Sequence, residues 1–246
     1  MLVLLPPSEG KTAPAAGAPV DLAGLAFAAE LTEPRQKLLA ALEGLARVPR
    51  KRAVAMLGVS PGQADEVAVD AALGGAPAAP AAEVYSGVLY DRLGLAGLPA
   101  AAQERVLIAS ALWGVVRPSD RIPYYRFAIK AKLTRIGGLA AFWREALAAA
   151  LPDEEGALVV DMRSGAYAAA WKPQRAKLIA VRAFSESGGK RKPISHMAKA
   201  VRGDVAKVLL AAKRAPADPE SAAALAERAG FRVELSPGHL DVIVDG

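Results

Sequence analysis

Apolar and polar positions alternate in blocks that read as strands mixed with helices. MLVLL opens the chain as a fully apolar run halted by Pro6-Pro7, the pattern of a buried strand leading into a loop. Residues 34 to 47 place Leu38, Leu39, Leu42 and Leu45 on one helical stripe, with Thr32 as cap and Pro34 in the first turn. Residues 74 to 82 (GGAPAAPAA) read as a loop, and 105 to 116 (RVLIASALWGVV) as a buried strand-like segment ending at Arg117-Pro118. ALVVDM (157 to 162) and AKLIAVRAF (176 to 184) have the β-branched content of strands. A helix is expected from about Ser195 to Ala212, and another from Asp218-Pro219 to near Gly230. FRVEL and HLDVIVD around Ser-Pro-Gly predict a hairpin. No internal repeat and no regular βαβ alternation appear, so the pattern predicts one α+β domain over residues 1 to 246, with a mixed central sheet and surrounding helices.

The helix from Ser195 divides into two faces at 100° per residue. Met197, Val201, Val205, Val208 and Leu209 would face the core; His196, Lys199, Gly203 and Lys207 lie opposite, flanked by Arg202. A mid-helix glycine costs about 1 kcal/mol relative to alanine, so Gly203 implies close approach of something. Upstream, Lys190, Arg191 and Lys192 follow Gly188-Gly189 in a cationic turn. In LTRIGGLAAFW (133 to 143), two helical patterns flank Ile136-Gly137-Gly138 beside Lys130, Lys132 and Arg135. That arrangement resembles a helix-hairpin-helix, whose glycine N–H groups approach DNA phosphates; an ordinary turn between helices fits the same residues.

Charge sharpens this picture. From Arg163 to Arg214 there are 13 Lys or Arg against Glu186 and Asp204, a balance of +11 within a total of +6. Such polarisation suggests a surface for phosphates, or a solvated basic face without a partner. Zero cysteines exclude disulfides, thiolate metal sites and a cysteine nucleophile, and two histidines exclude a multi-histidine metal centre. No histidine-carboxylate spacing builds a di-iron site, and nothing calls for a cofactor. No signal peptide and no run of 18 uncharged apolar residues are present, which predicts a soluble cytoplasmic protein without membrane contact.

LPPSEGKT (5 to 12) ends like a nucleotide-binding loop, but Leu5 stands where the first glycine belongs, and Pro6 and Pro7 lack the N–H groups a phosphate cradle needs. PPSEGK, VYSGVLYDRL (84 to 93), ALWGVVRPSDRIPYYR (111 to 126), VVDMRSGAY (159 to 167) and KRKPISHMAKAVRG (190 to 203), in this order, resemble the YaaA family of peroxide-stress proteins over essentially the full length. The chain departs from members with Pro-Ala-Lys-Thr, having Pro-Ser-Glu-Gly-Lys-Thr there. The resemblance implies a cytoplasmic protein that limits intracellular iron and protects DNA from peroxide. It also implies a mixed α/β fold with a helix-hairpin-helix-like element and a basic cleft for double-stranded DNA.

The matched residues include more than DNA binding requires. Ser8, Glu9, Lys11, Tyr85, Ser86, Arg117, Asp120, Tyr125, Arg126, Asp161 and Tyr167 fall at or beyond ends of expected strands, where polar groups converge on pockets. In one reading Lys11, Arg117 and Arg126 bind a small anion or nucleotide, Glu9 or Asp120 is a base, and Tyr85 or Tyr125 positions the substrate. In the other, an Arg117–Asp120 ion pair and buried tyrosine hydroxyls satisfy a polar core. Whether the protein is an enzyme stays open at this point.

Overall fold

A computed structural model describes residues 1–188, 190–194 and 197–245. Among the described residues twelve strands occur in chain order: β1 (Leu2–Leu5), β2 (Ala78–Pro80), β3 (Val106–Ser110), β4 (Gly114–Val116), β5 (Arg121–Pro123), β6 (Lys132–Leu133), β7 (Gly137–Gly138), β8 (Leu158–Asp161), β9 (Lys177–Ser187), β10 (Lys190–Pro193), β11 (Arg232–Ser236) and β12 (His239–Asp245). Eight of them form a mixed sheet in the order β11-β12-β9-β8-β1-β3-β4, with β10 also paired to β9. β1 pairs in parallel with β3 (Val3 opposite Val106) and with β8 (Val3 opposite Val160); β9 pairs in parallel with β8 and β12. β4, β10 and β11 run antiparallel to their neighbours.

The central strands β3 and β8 are buried at every position, and Val3, Leu4 and Leu5 of β1 are too. Strands covered on both faces carry continuous apolar runs, which is why MLVLL and ALVVDM show no alternation. Because β1, β3 and β8 point the same way, the segments that leave them emerge from one edge of the sheet. In open sheets with parallel strands, that carboxyl edge is where ligands bind.

Helices flank the sheet. Ala198–Ala211 packs on β9 and on Val88–Leu93, while Ala28–Glu43 packs on Leu139–Ala150. Among the described residues no helix is long and apolar enough to cross a membrane. The helix Pro219–Arg228 starts at an Asp218 cap whose carboxylate accepts from Ser221 N at 2.8 Å, and β11 and β12 form the expected hairpin.

Several expectations need correction. The first long helix runs Ala28–Glu43 with Pro34 inside it, starting after Phe27 in the left-handed region (φ 58°). Its buried stripe is Leu31, Arg35, Leu38 and Leu42; the charge of Arg35 and the proline hide the continuation of the stripe in the sequence. Residues 78 to 80, read as loop, are β2, paired antiparallel with β5. Residues 132 to 138 do not form the first arm of a helix-hairpin-helix. They make a two-residue ladder, Lys132 opposite Gly138 and Leu133 opposite Gly137, turned by Arg135 (φ 70°) and Gly137 (φ 80°), and only the following segment, Leu139–Ala150, is helical. The helix expected from Ser195 is described from Ala198, and Met197, assigned to its core face, is 56% exposed.

Candidate functional site

At the carboxyl edge of the sheet lies a cleft of about 780 Å³. Its floor is the segment after β1, Pro6 to Lys11; its walls come from Gly58 to Ser60, Ser86 to Tyr90, Arg126 to Lys130, Ser164 to Tyr167, and Lys199 with Arg202. The prolines supply no N–H, so the chain leaves the sheet without a ladder bond, and the Pro6 carbonyl accepts from the Tyr90 hydroxyl at 2.7 Å. Beyond them the loop is fastened to the segment at Tyr85: Lys11 bridges Tyr85, Thr12 N donates to Val84 O at 2.8 Å, and Ser86 N donates to Ser8 Oγ at 3.2 Å. Ser8 Oγ in turn donates to Gly10 O, and Arg126 Nη1 donates to the Glu9 carbonyl.

Lys11 occupies the inner part of the cleft. Nζ donates to Ser8 O at 2.8 Å and lies 4.4 Å from the centre of the Tyr125 ring and 5.6 Å from that of Tyr85. Burial, reinforced by the charge of Arg126, lowers its amine from 10.5 to about 8 against the opposing pull of Asp70, Glu66 and Glu9. Beneath it, hydroxyls form a buried chain: Tyr85 to Tyr125 at 2.7 Å and Tyr125 to Ser110 at 2.8 Å. Burial raises both phenols, so they stay protonated at neutral pH. Asp70 is fully buried nearby. Its Oδ1 accepts from Arg126 N at 2.7 Å, Oδ2 has no partner among the described residues, and burial pushes the carboxyl up to about 7.

The cleft gathers Ser8, Glu9, Lys11, Ser86, Arg126 and Tyr167 from the pocket expected in the sequence, and Lys130, Lys199 and Arg202 from the expected DNA surface. Five cations against one carboxylate line it. Tyr85 and Tyr125 support Lys11 from below. Arg117, Asp120 and Asp161 are elsewhere. Asp120 Oδ2 accepts from Arg117 N at 2.9 Å and Ala26 N at 3.1 Å, closing a turn next to the buried Arg35 guanidinium, which donates to the carbonyls of Ala26, Trp113 and Val115. The Arg117 side chain donates to Glu104 O at 3.3 Å, and it is the Arg117 main chain that meets the Asp120 carboxylate. Asp161 holds Arg163 through both oxygens, 2.9 and 2.8 Å, in the interior.

A sequence-family model described as peroxide stress protein YaaA matches residues 1–235. The chain belongs to this family. A UPF0246 protein of Streptomyces coelicolor is 43% identical to it, with 99% of this chain and 98% of the relative covered. UPF0246 proteins of Corynebacterium glutamicum and Corynebacterium efficiens are 38% and 39% identical over the same shares.

In this YaaA-family chain the basic segment is less charged in space than in sequence. Arg163 is neutralised by Asp161, Arg182 by Asp241, and Arg191 by Glu186 and Glu234; three of these four acids lie outside the segment. Lys190 and Lys192 stay exposed on β10, and Lys132, Arg135, Gly137 and Gly138 lie on the short hairpin outside the cleft lining. Gly203 is buried. A β carbon there would lie 2.5 Å from the Leu89 carbonyl oxygen and 2.9 Å from Arg92 Cβ, so what approaches it is the helix Val88–Leu93 and not a phosphate. His196 lies outside the described residues. Asp70, Tyr90 and Ser110 were missed by sequence reasoning; Asp70, an aspartate at helical spacing from the apolar Val67, was the signal available for one of them.

Proposed function

We propose that this YaaA-family peroxide-stress protein binds double-stranded DNA along the cleft and thereby limits iron-dependent oxidative damage. The observation that supports this is the convergence of Lys11, Arg126, Lys130, Lys199 and Arg202 from separate segments on one cleft with Glu9 as the opposing charge. Cations so placed attract a phosphate backbone, and each phosphate they neutralise releases its counterions. Iron(II) held at those phosphates would be displaced with the rest, which links duplex binding to protection without an iron site on the protein. Lys130 and Lys199 are exposed and reach phosphates directly.

Fluorescence anisotropy of a labelled duplex across salt concentrations tests the reading. The Lys130→Glu, Lys199→Glu double variant should bind at least about tenfold more weakly and with a shallower salt slope, since each lost phosphate contact removes about one unit from it. Unchanged affinity and slope would end the proposal.

A second reading rests on the size of the cleft, about 780 Å³, within the range of small-molecule sites, about 300–1,000 Å³. In it a small anion or nucleotide occupies the part of the cleft around Ser8, Lys11, Ser86 and Arg126. Competition separates the two: a nucleoside monophosphate that binds the wild type while duplex does not favours the small ligand.

A further inference from the structure

Of the three lysines that line the cleft, Lys130 and Lys199 are exposed and Lys11 is drawn inward. A lysine retained for stability is ordinarily held by a carboxylate; among the described residues none lies within ion-pair distance of Lys11 Nζ. Its contacts are instead a backbone carbonyl, Ser8 O, and the faces of two aromatic rings. Desolvation together with a neighbouring cation, here Arg126, is the environment that turns a lysine into an amine nucleophile toward carbonyl carbon. Ser8 O accepts a hydrogen from the nitrogen, which leaves the lone pair of the neutral amine free. Around it, Arg126, Lys130, Lys199 and Arg202 fit a substrate that carries phosphate on the same molecule as its carbonyl.

We propose that Lys11 forms an imine with the open-chain aldehyde of a sugar phosphate bound in the cleft. This rests on the reading of the cleft as a phosphate-binding surface and adds a reaction to it. The Nζ lone pair forms a bond to the aldehyde carbon while the carbon–oxygen π bond breaks, and one amine proton moves to that oxygen to give a carbinolamine. The second amine proton then leaves with the hydroxyl as water, and the carbon–nitrogen double bond forms. Atoms balance as amine plus aldehyde to imine plus water, and no oxidant, reductant or metal takes part. Two sources supply this chemistry: the ring-opened deoxyribose of an abasic site in duplex DNA, flanked by phosphate on both sides, and a free pentose phosphate.

Sodium cyanoborohydride reduces an imine to a stable secondary amine, so the adduct can be mapped. Wild-type protein is incubated with reductant and, separately, a duplex containing one abasic site, the intact duplex, and deoxyribose 5-phosphate; peptide mass mapping then locates the adduct. Expected is labelling of Lys11 at least about tenfold above Lys130 or Lys199 in the abasic or sugar-phosphate arm, none with intact duplex, and its loss in Lys11→Arg. Labelling confined to the abasic arm assigns the substrate to DNA. Labelling confined to the free sugar phosphate keeps the inference and removes DNA as its source. Absence of a Lys11 adduct in both arms, or equal labelling of Lys130 and Lys199, overturns it, whatever the affinity for intact duplex. The labelled position is read on the wild-type chain, so the result does not depend on the variant folding.

Discussion

The amine nitrogen of Lys11 stands 4.4 Å from the centre of the Tyr125 ring, in a part of the cleft where burial and Arg126 disfavour its charge. The folded protein therefore binds fewer protons than the unfolded chain between about pH 8 and 10.5, and stability rises with pH across that window. Measured against Lys11→Met, the wild type should gain up to about 3 kcal/mol between pH 7.5 and pH 10.5 in urea unfolding. Asp70, Glu66 and Glu9 face Lys11 with opposite charge and are the same in both chains, so the difference between the chains reports the amine. A difference that stays flat with pH would mean that Lys11 is as well solvated as a surface lysine.

Asp70 titrates in the opposite sense. Its carboxyl is raised from 3.8 to about 7, so the folded state holds a proton that the unfolded state releases, and stability falls as pH rises through that interval. Asp70→Asn keeps an acceptor for Arg126 N and removes the buried charge. It should be up to about 4 kcal/mol more stable than wild type at pH 7.5 and equal to it below pH 4. Urea midpoints at the two pH values decide; destabilisation at both would assign Asp70 a required negative charge.

Gly203→Ala distinguishes helix propensity from packing. Propensity alone favours alanine by about 1 kcal/mol. Overlap with Leu89 O and Arg92 Cβ should reverse the sign and destabilise by about 1–3 kcal/mol, because a backbone carbonyl cannot give way. A stabilised variant would show that the two helices are further apart.

Tyr125 bridges Tyr85 and Ser110, so Tyr125→Phe leaves two buried hydroxyls short of a partner and should cost about 1–3 kcal/mol. Adding Tyr85→Phe removes one of them. The double variant should therefore lose clearly less than the sum of the singles; strict additivity in the cycle would deny the hydroxyl contact.

Arg191 and Lys199 both belong to the basic stretch of sequence, yet only Lys199 lines the cleft; Arg191 is held by Glu186 and Glu234. Arg191→Ala should leave duplex affinity within about twofold and Lys199→Ala should lower it severalfold, with salt slopes reduced by about one unit only in the second. Equal effects would move the binding surface to β10.

Continuous apolar runs made the central strands readable, since a strand covered on both faces needs no polar alternation. The Asp218-Pro219 start of a helix and the terminal hairpin were equally legible, because caps and tight turns are chemistry local to a few residues. Pro34 and Arg35 misplaced the first helix for the converse reason. Arg35 is buried only because three carbonyls from distant segments, those of Ala26, Trp113 and Val115, receive it. Gly203 was read correctly as a site of close approach, but the approaching group is set by tertiary packing and a single sequence does not reveal it. The same limit explains Arg117 and Asp120. Their spacing around a proline fits an ion pair as well as the backbone-closed turn that forms. In LPPSEGKT the Pro-Pro step was the informative part, since it turns the loop away from the sheet and lays Ser8 to Lys11 along the cleft floor.

The hydroxyl chain under Lys11 has a built-in direction. Ser110 Oγ accepts from Leu112 N at 3.2 Å and Trp113 N at 3.0 Å, which fills both of its lone pairs. Its own hydrogen must then go to the Tyr125 oxygen, the Tyr125 hydrogen to Tyr85, and the Tyr85 hydrogen is the one left to give. Two main-chain amides thus orient three hydroxyl dipoles in series, and the last phenol, Tyr85, is a donor by construction, buried under the cleft floor.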